Sequence, residues 1–128
     1  MPTWPAVTGD VVTSTLWNGL PAFTVNTAAT ADYTPVLNDQ YQVLQPMNKA
    51  TAIAFKIPTN ASVAFAVGTV ITVLNIGAGT CTISAVTSGT TTVLSAGATA
   101  AAPTLTQYKS AACIKTATDT WYVVGAIA

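Results

Sequence analysis

Between Thr51 and Ile57 the chain alternates: Ile53, Phe55 and Ile57 fall on one face, Ala54 and Lys56 on the other, and Pro58-Thr59-Asn60 closes the run. A period of two over so short a stretch predicts a strand with one buried side. Similar runs follow at close spacing: Tyr41-Gln42-Val43-Leu44 before Pro46, Thr69 to Ile76, Thr80 to Ile83, Thr90 to Leu94, Leu105 to Tyr108, Ala111 to Lys115 and Thr120 to Val124. Gly77-Ala78-Gly79, set between two of these strands, predicts a hairpin. Thr118-Asp119 supplies the turn before the last strand, where Trp121 and Val123 alternate with Tyr122 and Val124. Adjacent strand residues face opposite sides, so Trp121 is expected in the core with Tyr122 as its outward neighbour, in preference to a paired sugar-binding platform. No internal repeat of fixed period is visible. Many short strands without a long helix give an all-β fold, a compact β-sandwich or β-barrel over residues 41–128.

Residues 1–40 read differently, as an N-terminal extended arm carrying a short helix. Trp4 lies between Pro2 and Pro5, and Thr13 can cap a helix in which Val12, Leu16 and Leu20 recur on one face beside Trp17. Gly19 and Pro21 end it. A helix this short needs a surface to lie on. From Pro21 to Asn38 the chain is a Thr-, Ala- and Asn-rich connector with the character of an extended arm or edge strand.

Composition narrows the function. Only 6% of the 128 residues are charged, four Lys and four Asp, with no Arg, Glu or His and a net charge of zero. An average soluble domain carries about 25%. Zinc then lacks a plausible ligand set, no ordinary general base is present near neutral pH, and no cofactor motif occurs, so an enzyme is not expected. Asp10, Asp32, Asp39 and Asp119 are expected as turn and cap residues before metal ligands, because their spacing matches no calcium loop. Four scattered Lys give no footprint for nucleic acid. A monomer of this mass exposes roughly 6,300 Å², about one charge per 800 Å², which leaves it poorly protected against association. Much of the exterior is therefore expected to be covered by copies of the chain or by a larger assembly. The 24 Thr and 23 Ala fit an extended fold with a hydrated but uncharged surface.

Residues 61–86 carry no charge and match a membrane span in length, yet glycines and β-branched residues at turn-bounded spacing divide them into two strands, so no membrane is expected. The first residues lack a basic stretch followed by an apolar core, which predicts a cytosolic product without a secretory signal. Cys81 and Cys113 each lie in a strand-like run and are expected reduced and buried, the alternative being a disulfide or a reactive thiol.

From Tyr41 onward the order of these pieces resembles a small β-domain that recurs in structural proteins of tailed bacteriophages. The pieces are Tyr41-Gln42-Val43-Leu44, Ala52 to Ile57 with Pro58 and Asn60, Val67-Gly68-Thr69 with Ile71-Thr72-Val73, Gly77-Ala78-Gly79 with Thr82-Ile83, Gln107-Tyr108, Ile114-Lys115, and Asp119-Thr120-Trp121 through Gly125. Together they cover about two thirds of the chain, and the run from Gly9-Asp10 to Trp17-Asn18 is similar to a helical element near the start of phage virion proteins. The chain departs from the pattern in its Ala and Thr content and in its two cysteines, which stand where aliphatic residues are expected. The resemblance implies a virion component.

One domain with an arm, without room for a shaft, favours a capsid decoration (cement) protein over a minor tail or tail-fibre receptor-binding protein. The resemblance then implies a homotrimer on the outer head surface, made in the host cytoplasm, with the major capsid protein as partner. Trp4, Trp17, Leu20 and Phe23 are the candidate contacts to capsid or neighbouring subunit, because aromatic side chains concentrate interface energy. For Trp17 and its apolar face the alternative is an arm folded back on its own domain.

Overall fold

A computed structural model describes residues 23–128, so the expected helix and Trp4, Trp17 and Leu20 lie outside the described residues. The described chain is almost wholly β. Its strands are β1 (Thr24–Val25), β2 (Val43–Met47), β3 (Ile53–Ile57), β4 (Val70–Asn75), β5 (Cys81–Ala85), β6 (Thr92–Ser95), β7 (Thr104–Leu105), β8 (Ser110–Ala117) and β9 (Thr120–Gly125), with one short 3-10 turn at Leu37–Gln40. They form a six-stranded sheet in the order β1-β2-β4-β8-β9-β6 and a three-stranded sheet in the order β3-β5-β7. Phe55, Ile57, Ile83, Leu105, Val73 and Trp121 meet in the single core between the sheets.

The first half of the chain winds like a short solenoid. β1 lies parallel to β2, and β2 parallel to β4, while β3 lies parallel to β5 in the other sheet. The connector after β1 follows the same path, since Ala29 bridges to Met47 and Tyr33 to Phe55. Val43 pairs with Ile71, Ile53 with Cys81 and Val93 with Trp121, in each case 28 residues further on. These three pairs share one offset although the sequence shows no repeat, while Thr24 pairs with Val43 over a shorter span. Stacked positions preserve only which side faces the core, so Phe55 lies beside Ile83 and Gln45 beside Val73.

Three sequence expectations are corrected. Gly77-Ala78-Gly79 does not make a hairpin, because β4 and β5 belong to different sheets and the segment is the corner between them. Its glycines meet another need: β-carbons there would overlap the backbone of Lys49 and Thr51 in the turn stacked beneath. Second, the strand expected to stop before Pro46 continues to Met47. The missing Pro46 N–H falls on the side where β1 has ended, and Gln45 Nε2 donates to the Thr27 carbonyl there at 3.2 Å. Third, Leu105 to Tyr108 is strand only at Thr104–Leu105. The chain then turns, with Tyr108 at φ 65° and its side chain exposed.

Candidate functional site

The two sheets treat their outer faces differently. On the three-stranded sheet the outward positions are Ala54 and Lys56 on β3, Thr82 and Ser84 on β5 and Thr104 on β7, a polar face of ordinary kind. On the six-stranded sheet the outward positions form two apolar rows running across the strands. One row passes from Val70 through Ile114 and Tyr122 to Leu94, and the other from Leu44 through Thr72 and Ala112 to Val124. Neither row contains a charge. Tyr122 and Val124 stand 43% and 50% exposed on β9, beside the β6 edge of this face. A groove of about 460 Å³, lined by Leu94, Ala96, Tyr122, Val124 and Ile127 among others, continues it toward the β6 edge.

This surface arises because β4, β8 and β9 are apolar at both parities. Val70-Ile71-Thr72-Val73-Leu74 and Trp121-Tyr122-Val123-Val124 alternate core residues with outward residues that, apart from Thr72, are mainly apolar. Strands of that kind are normally covered on both faces. The alternation in β3 hides the contrast from a reading of single strands, and only the sheet order brings the two rows together.

Of the expected contact residues, Phe23 alone lies among the described residues. It is 57% exposed at the β1 edge, with Val25 nearby and also exposed. It belongs to the edge of the six-stranded sheet, not to the two rows. Leu44, Val70, Leu94, Ile114, Tyr122 and Val124 were not anticipated as a surface. The available signal was the double parity of β4 and β9.

Three buried polar clusters stiffen the body behind this face. Asp39 accepts from Asn26 Nδ2 at 3.0 Å, the Tyr33 hydroxyl at 2.6 Å and the Val36 N–H at 2.9 Å. Burial, and then the Asp39 carboxylate, push the Tyr33 hydroxyl well above the usual tyrosine range. Asn75 donates to the Gly79 and Leu105 carbonyls at 2.8 Å and accepts from Gly77 N–H at 3.1 Å, pinning the corner. Lys115, on the inward side of β8 after Ala111 and Cys113, donates through Nζ to Asn60 Oδ1 at 2.6 Å and to the Phe65 carbonyl at 2.7 Å.

Cys81 and Cys113 are free and buried, as their strand context predicts. Burial raises the Cys81 thiol to about 11 and holds Cys113 well above the ordinary thiol range. Asp32 and Asp119 serve as backbone acceptors, for Ala54 N–H and Asn60 N–H respectively. Among the described residues no group of three or more His, Cys, Asp or Glu is placed to hold a metal, and no helix is long and apolar enough to cross a membrane. Compared with protein-family models, curated proteins and solved structures, the chain matches none.

Proposed function

We propose that this chain is a bacteriophage capsid decoration protein that binds the outer head surface as a homotrimer and stabilises the shell without catalysis. The observation that carries the reading is the uncharged double row on the six-stranded sheet, with Tyr122 and Val124 exposed on β9. Such a face suits contact with a protein surface and gives water little to solvate. The scarcity of charge over the whole chain points the same way. If each subunit buries about 800 Å², half of it apolar, the gain is on the order of 10 kcal/mol before ordering costs. Contacts to several capsid subunits at once would add avidity against internal pressure. In this reading Trp4, Trp17, Leu20 and Phe23 hold the capsid, and the major capsid protein is the partner.

A second reading, a minor tail or tail-fibre receptor-binding protein, draws support from the groove beside Tyr122 and from Tyr108, the most exposed aromatic side chain described. Copy number separates the two. A decoration protein stains on a virion gel at a level comparable with the major capsid protein, and cryo-electron microscopy finds it over the head. Density confined to the tail would defeat the capsid assignment.

A further inference from the structure

The cluster around Lys115 is not used by any surface role. Lys115 is 2% exposed, a buried cation whose Nζ has two neutral oxygens as hydrogen-bond acceptors, Asn60 Oδ1 and the Phe65 carbonyl. Retaining charge in such a place costs free energy. Its cross-strand partner on β9 is Trp121, and the Trp121 ring meets Phe65 edge-on with centroids 5.6 Å apart. The amine is thus held on the apolar inward side of the sheet. Burial lowers its proton affinity, opposed by the nearby Asp119 carboxylate.

The facing group is a carboxamide. An amine 2.6 Å from Asn60 Oδ1 is at most one carbonyl bond, about 1.23 Å, further from Cγ. A small tilt therefore reaches the near-attack spacing of about 3–3.5 Å. A carboxyl group stands beside the Asn60 backbone: Asp119, at φ 54° in the turn between β8 and β9, accepts the Asn60 backbone N–H at 2.7 Å and the Thr91 hydroxyl at 3.2 Å through Oδ1. Amine and acid come from β8 and the turn that follows it and the carboxamide from the loop after β3, inside a folded body that keeps them in register.

We propose that Lys115 and Asn60 join in an intramolecular isopeptide bond, with Asp119 relaying the proton. The neutral Nζ attacks Cγ of Asn60, forming the Cγ–Nζ bond. The proton released from Nζ passes through the Asp119 carboxyl to Nδ2. The Cγ–Nδ2 bond then breaks and ammonia departs toward solvent past the partly exposed Asn60. No oxidation or reduction takes place, and no other reactant is required. The product replaces a buried cation by a neutral amide whose N–H can still donate to the Phe65 carbonyl. It also staples the loop after β3 to β8, across 55 residues of sequence. This inference does not depend on where the protein is used.

Intact-mass measurement of the purified full chain tests it. The expected mass is lower than that of the sequence by one ammonia. Trypsin should then yield a branched species joining residues 57–109 to 110–128, with no cleavage after Lys115. Lys115→Arg should retain the full mass, and Asn60→Asp should lose water in place of ammonia. Asp119→Asn should slow bond formation at least tenfold while the near-ultraviolet signal of Trp121 reports a native fold. A folded wild-type chain at full mass after prolonged incubation overturns the proposal, as does ammonia loss that persists in Lys115→Arg. If Lys115→Arg does not fold, the branched peptide from the wild type decides by its presence or absence.

Discussion

Gly79 lies directly over Thr51, so that a β-carbon on Gly79 would overlap the Thr51 carbonyl group. The contact fixes the spacing between successive turns of the chain, because the Gly79 N–H also donates to the Lys49 carbonyl at 2.9 Å. Gly79→Ala is expected to cost at least about 3 kcal/mol, since backbone faces the new atom and cannot yield as a side chain would. Gly89, with open space around it, provides the control. Gly89→Ala should stay within about 0.5 kcal/mol. Urea midpoints of the two variants give the comparison.

Asn75 serves the same corner from inside. Its replacement by Leu removes the side-chain donor from the Gly79 and Leu105 carbonyls at once, while the Gly77 N–H keeps the Met47 carbonyl at 3.2 Å. Each orphaned buried group costs about 1–3 kcal/mol, so Asn75→Leu should leave little or no folded protein. Circular dichroism in a urea series would register that loss. A native-like midpoint would mean that the corner is held by the glycines alone.

The outward rows of the six-stranded sheet can be tested without harming the core. Tyr122→Lys and Val124→Lys place a charge where the side chain is already half exposed, and each should change stability by about 0.5 kcal/mol or less. Self-association or shell binding should nevertheless fall sharply. Thr82→Lys, on the outer side of the three-stranded sheet, should leave both intact. Sedimentation velocity and co-pelleting with phage heads would measure the contrast. Equal behaviour of all three variants would remove this face from the interface.

Alkali provides a further test. The folded state keeps Cys81 protonated to about 11 against an ordinary value of 9.0, so folding binds this proton more tightly than the unfolded chain does. The corresponding stabilisation is fully present below pH 9 and is lost as pH rises toward the folded value. Two units correspond to about 3 kcal/mol. Cys113 shifts in the same direction for the same reason, burial. Urea midpoints should therefore hold up to about pH 9 and fall toward about pH 11, and the double variant Cys81→Val with Cys113→Val should flatten that fall. Both thiols should also resist alkylation until the protein is unfolded.

Much of the architecture is legible in local pattern. The alternation of Ile53, Phe55 and Ile57, and of Trp121 with Tyr122, is enough to assign strands and to choose their inward sides, because a pleated strand turns every second residue the same way. The burial of Cys81 and Cys113 follows from the same parity, whereas the burial of Lys115, counted from the sequence among the surface charges, does not. What pattern alone cannot convey is which strands become neighbours. Gly-Ala-Gly between two strands reads equally as a hairpin or as a corner between sheets, and only the stacking of Gly77 over Lys49 and of Gly79 over Thr51 distinguishes them.

The sequence by itself determined an all-β chain, its inward residues and a surface nearly bare of charge, since these depend on side-chain type and a period of two. Tertiary structure decided the rest. The offset of 28 residues in three parallel pairs, the gathering of Leu44, Ile114, Tyr122 and Val124 on one face, and the meeting of Asn60 with Lys115 and Asp119 all join residues far apart in the chain. Such contacts depend on strand order and register, which arise from the packing of the whole core.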